Sequence, residues 1–123
     1  MPEHRNYLSV SDLNSKIRYS LEDNLSSVWV KGELSNFHYH PSSSHMYFTL
    51  KDDKNEIRCA MFRINNQFLN FSPSDGVFVR LFGDVTFFEQ RGSIQIKVSM
   101  MEEDGVGDRD LSSARFVRAR SVP

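Results

Sequence analysis

The chain has 123 residues, 39% of them hydrophobic, with 15 Lys+Arg against 16 Asp+Glu and a single Cys. That length builds one core rather than two, and its ten Phe argue against disorder over most of the chain. One Cys excludes an internal disulfide, and no stretch approaches the roughly 18 apolar residues of a membrane-spanning helix, so no membrane association is expected.

The net charge of −1 is unevenly spread. Arg109, Arg115, Arg118 and Arg120 stand against Asp110 near the C-terminus, whereas residues 1–108 carry 11 basic and 15 acidic side chains. Any binding to phosphate must therefore use a local patch. The opening MPEHRNYLSV holds no apolar core of the kind that directs secretion, which points to the cytoplasm.

Ser9-Val10-Ser11-Asp12 fits a capping box, and Val10, Leu13, Ile17 and Leu21 follow at helical intervals to about Asn24. The rest reads as strands. Val28–Leu34 alternates, with Val28, Val30 and Leu34 on one face and Trp29, Lys31 and Glu33 on the other, and Gly32 marks a bend. Residues 35–44 are polar and turn-rich apart from Phe37 and Tyr39, and read as a loop. Met46–Lys51 and Glu56–Phe62 form a hairpin around Asp52–Asn55, with Phe48, Leu50, Ile57, Cys59 and Met61 facing the core and Tyr47, Thr49, Lys51 and Arg58 outward. A short helix is expected within 63–72 and a turn at Pro73–Gly76. A long strand from Val77 to about Phe88 bends at Gly83, Glu89–Gly92 makes a second hairpin loop, and Ser93–Met100 alternates as the fifth strand. The chain divides into a domain over 1–104 and a mobile tail or linker over 105–123, where periodicity stops.

The fold class is mainly β. Five strands, an N-terminal helix and a short helix between the third and fourth strands match the OB-fold, a five-stranded Greek-key barrel; an SH3-like or open half-barrel would place the interrupting helix elsewhere.

Four blocks, Leu8–Asn14, Val28–Phe37, His45–Asp52 and Ile57–Phe62, closely resemble in order and spacing the N-terminal domain of the exodeoxyribonuclease VII large subunit. Phe88–Gln95 is similar to that family's fourth-to-fifth-strand hairpin. The resemblance covers about residues 8–108. It implies a single-stranded-DNA-binding domain in a subunit that degrades single-stranded DNA with several small subunits, joined through parts beyond this chain. The catalytic region of that family lies downstream, so no nuclease activity is expected from this chain alone.

An OB barrel holds a single strand with rings that stack on bases and cations that follow phosphates, on its second and third strands and the loops flanking them. On that surface the candidates are Phe37, His38, Tyr39, Tyr47, Lys51, Arg58, Arg91 and Lys97, with Lys31 and Gln95 as flanks. The plainer reading has Phe37 and Tyr39 capping the open end of the barrel, and Lys51, Arg58 and Lys97 as solvated charges weakened by Glu33, Asp52, Asp53 and Glu56. His38, His40 and His45 lack metal-site spacing, and the only Cys faces the core, so neither a metal nor a cofactor is expected. Asp52-Asp53 and Glu102-Glu103-Asp104 are carboxylate clusters of the kind that could hold Mg²⁺, but they fall in a turn and at a strand end, where carboxylates are more often solvated. A docking module, with weak self-association, is the competing function; a complete small hydrolase ranks well behind for want of a catalytic constellation.

Overall fold

The first helix, α1 (Val10–Asn24), begins where its cap dictates. Ser9 Oγ accepts the Asp12 amide at 2.9 Å, and the Asp12 carboxylate accepts the Ser9 amide at 3.4 Å. Two otherwise unpaired amides are thus satisfied reciprocally. Ser9→Ala is expected to weaken α1 by about 1 kcal/mol, read as roughly fivefold faster amide hydrogen exchange across the helix.

The computed structural model describes residues 5–105, so the expected tail lies, from Val106 onward, outside the described residues. After α1 come β1 (Val28–His40), β2 (His45–Lys51), β3 (Glu56–Met61), the four-residue α2 (Arg63–Asn66), β4 (Phe78–Phe88) and β5 (Ser93–Glu103). The strands close into a barrel in the order β1-β2-β3-β5-β4, with β1 hydrogen-bonded to β4. Every pairing is antiparallel except β3 with β5, where Arg58, Cys59 and Ala60 stand beside Gln95, Ile96 and Lys97. Closure removes the unpaired edges that an open sheet of this size would expose.

The alternation read from sequence places the core. Phe48 and Leu50 on β2 pair with Cys59 and Ile57 on β3, and Val79, Leu81 and Val85 meet Ile96 and Val98 at the centre. Burial pushes the Cys59 thiol up to about 12, which leaves it an inert core residue. Gly83 sits where the β4–β5 register shifts, between Phe82 and Gly83, and is itself buried.

Two boundaries differ from expectation. β1 continues through residues 35–40, read above as loop, and only Pro41–Ser44 turns. A bulge between Ser35 and His38, with Asn36 at φ 51°, lets the polar end of β1 stay paired with β2. β5 runs to Glu103 rather than Met100, because an irregularity opposite Gly83 breaks the alternation without ending the strand. Helix α1 also departs from a core-facing helix: it buries no residue fully, and Val10 and Leu13 stay exposed while Ile17 and Leu21 are half-buried. Its attachment to β4 is polar at both ends. The Val85 amide donates to Leu25 O at 3.0 Å and the Ser27 amide to Asp84 Oδ1 at 2.6 Å, while Asn14, Ser15 and Arg18 bond to Glu89.

Candidate nucleic-acid interface

The outward row of the β2–β3 hairpin and the β4–β5 hairpin enclose a groove of about 720 Å³. Tyr47, Arg58, Phe62 and Gln95 line one side, and Phe87, Phe88, Glu89, Gln90, Arg91 and Arg18 line the other. Register explains the first set. Tyr47 opposes Ala60, Thr49 opposes Arg58, and Arg58 stands beside Gln95 across the parallel β3–β5 pair, so these side chains share the outer face.

The rings form a connected row. Tyr47 and Phe62 meet at 6.5 Å between centroids and 71°, His40 stands edge-on to Tyr47 at 5.0 Å, and His45 meets Phe62 at 4.8 Å. His45 Nδ1 also accepts the Arg63 amide at 3.0 Å, which ties Phe62 to the start of α2. The Lys97 ammonium lies over Phe62 at 5.9 Å from the ring centroid. Such a row, apolar on its faces and rimmed by cations, can stack bases and hold phosphates at once.

Of the residues proposed from sequence, the structure brings Tyr47, Arg58 and Arg91 to the groove, with the flank Gln95, and sets Lys97 beside it. His38 is exposed and in register with Tyr47, although the ring that touches Tyr47 is that of His40. Phe37 is elsewhere. Its ring packs on the core, 6.2 Å from Phe48, because the bulge at Asn36 turns it inward. Tyr39 opposes Met46, whose side chain joins the core, and so falls on the face opposite Tyr47, with its hydroxyl donating to Ser44 Oγ at 3.1 Å. Lys51 is half-buried at the far end of β2, in register with Glu33 and Glu56, and does not line the groove. Lys31 faces Arg80 on the β1–β4 surface, away from the groove, beside an exposed Trp29 that rests on Phe82.

Phe62, Phe88 and Arg18 were not singled out as site residues from sequence. Phe62 ends the β3 run and serves as backbone N-cap of α2 with extended backbone. Its signal was its place, two residues past Ala60, which opposes Tyr47, at the end of the β3 run that carries Arg58.

Charge divides sharply. Among the described residues the ion pairs join Arg18 to Glu22 and Glu89 and Arg80 to Glu102 and Asp104, and Arg58, Arg91 and Lys97 have no carboxylate within ion-pair distance. Both clusters that suggested a divalent cation have structural occupations. Asp52 Oδ1 accepts the Asn55 and Lys54 amides at 2.8 Å, and these bonds hold its carboxyl below the usual carboxylate range. Glu102 and Asp104 grip Arg80 at 3.1 and 3.3 Å. Glu89 is also held below its usual range, first by the Arg18 hydrogen bond and next by Ser15.

Over 105 residues the chain is 47% identical to the exodeoxyribonuclease 7 large subunit of Geobacter sulfurreducens, an alignment covering 85% of this chain and 23% of that protein. Over 100 residues it is 48% identical to that of Hahella chejuensis, covering 81% and 22%. The chain thus spans less than a quarter of the length of these relatives. Among solved structures, the barrel is similar to one in the S. pombe Stn1–Ten1 complex, with TM-score 0.57, 15% identity and 72% of this chain covered against 65% of that one. It is also similar to one in a replication protein A heterotrimer bound to ssDNA, with TM-score 0.54, 14% identity, and 69% and 62% covered. At such identities the likeness is one of fold. The family model described as an OB-fold nucleic acid binding domain matches residues 8–102, from the residue before the α1 cap to the last but one of β5, and the chain belongs to that family.

Proposed function

We propose that this chain holds single-stranded DNA in the groove between the β2–β3 face and the β4–β5 hairpin, as the DNA-binding domain of an exodeoxyribonuclease VII large subunit. The observation that carries the reading is the meeting of Tyr47 and Phe62 with cations that lack carboxylate partners, Arg58, Arg91 and Lys97, on one face of the barrel. Stacking on rings tolerates any base sequence, and a single strand can turn its bases onto rings where a duplex keeps them stacked within itself. Hydrolysis, and the small subunits that would assemble with it, belong to parts of the subunit beyond this chain, which acts in the cytoplasm.

Fluorescence anisotropy of a labelled oligo-dT, titrated with the chain across a range of salt concentrations, tests this. Three phosphate-neutralising cations predict a slope of log K against log salt of about −2, at roughly −0.7 per phosphate contact on a single strand. A duplex of the same length should bind more weakly. Absence of oligo-dT binding at low salt by the folded chain would reject the groove as a DNA site.

A further inference from the structure

Among the described residues that line the groove, Glu89 is the one carboxylate. A negative charge in a site for a polyanion opposes binding, so its presence there asks for a reason. Glu89 is gripped from one side by helix α1: Asn14 Nδ2 donates to its carbonyl oxygen at 2.7 Å, Ser15 Oγ to Oε1 at 3.1 Å, and Arg18 Nε to Oε2. Arg18 also reaches Glu22 one turn along at 3.3 Å, and its guanidinium lies over Tyr19 at 4.4 Å. It too lines the groove. The groove therefore holds a further cation whose charge is directed at a carboxylate of the same groove, while Arg58 and Arg91 across and beside it have none.

Resting on the single-strand reading above, we infer that Glu89 is an affinity-setting residue: it occupies Arg18 and so withholds from the strand a phosphate contact that the groove is otherwise built to make. The strand is then held by Arg58, Arg91 and Lys97, and Arg18 stays with the protein. Because α1 buries no side chain fully, the same contact also fixes the helix against the hairpin that carries Gln90 and Arg91. Removing only the charge separates these two roles. In Glu89→Gln the amide oxygen still accepts from Ser15 and the backbone carbonyl from Asn14, so the helix stays docked while Arg18 loses the groove carboxylate and keeps only Glu22, one turn along α1.

The test compares the salt dependence of oligo-dT binding for the wild type, Glu89→Gln, and Glu89→Gln combined with Arg18→Gln, each shown folded by circular dichroism. Glu89→Gln is expected to bind more tightly at low salt, with a slope steeper by about 0.7, the increment of one added phosphate contact on a single strand. The double variant is expected to return to the wild-type slope, because the gain runs through Arg18. An unchanged or shallower slope in Glu89→Gln overturns the inference, as does a gain that persists without Arg18, which would make Glu89 a repelling charge and nothing more. Failure of the wild type itself to bind oligo-dT would overturn the single-strand reading first and this one with it.

Discussion

Gly83→Ala is expected to destabilise the barrel by about 3 kcal/mol, at the upper end of what overpacking a core position costs. A β-carbon on Gly83 would stand 2.2 Å from Lys97 O, 2.9 Å from the Lys97 carbonyl carbon and 2.9 Å from Val98 Cα. All three are backbone atoms, so no side chain can swing aside. Relief requires β4 and β5 to part at the register shift, and there β4 is also paired to β1 through Val28. The β1–β4 pairing that closes the barrel and this close approach of β5 fall on the same residue. Gly92→Ala is the comparison: φ is +66° in the second hairpin loop and nothing lies within 4 Å, so the penalty is backbone strain of about 1 kcal/mol. Urea denaturation reads both, and a wild-type midpoint for Gly83→Ala would mean that the strands are not held at this distance in solution.

How far the sequence shows this depends on whether one face of a strand is dry. In β2, β3 and β4 one face meets the core, and a period of two places Phe48, Cys59 and Leu81 inward and Tyr47 and Arg58 outward. The far end of β1 is different. His38 and Tyr39 are both exposed, so no alternation marks residues 35–40 as strand, and their polarity resembles a loop. A positive φ at Asn36 then shifts the face of everything after it, which is why Phe37 goes inward and Tyr39 opposes Met46. Gly83 was legible as a bend, but its reason is the nearness of another strand's backbone, and that is a property of the closed barrel. The ties from Asn14, Ser15 and Arg18 to Glu89 join residues more than 70 positions apart, so they too emerge only when the barrel is folded.

The second large effect concerns binding. Tyr47→Ala and Phe62→Ala are each expected to weaken oligo-dT binding by roughly 1–3 kcal/mol, about 5- to 150-fold, the contribution of one stacked ring. Neither ring is required by the core: Tyr47 is 36% exposed, and Phe62 contributes its backbone, with no side-chain hydrogen bond, to the start of α2. Their centroids are 6.5 Å apart, so the pair should not be additive, and the double variant is expected to lose less than the sum of the two. Tyr47→Phe keeps the ring and should keep the affinity. Phe68→Ala removes a ring that is 79% exposed and lies outside the groove, and should leave binding as it was. The salt slope distinguishes the two kinds of contact. Removing a ring lowers affinity at every salt concentration by the same factor, whereas Arg58→Gln should make the slope shallower by about 0.7. Loss of binding in Phe68→Ala equal to that in Phe62→Ala, or a Tyr47→Ala variant that binds as the wild type does, would move the strand off this face of the barrel.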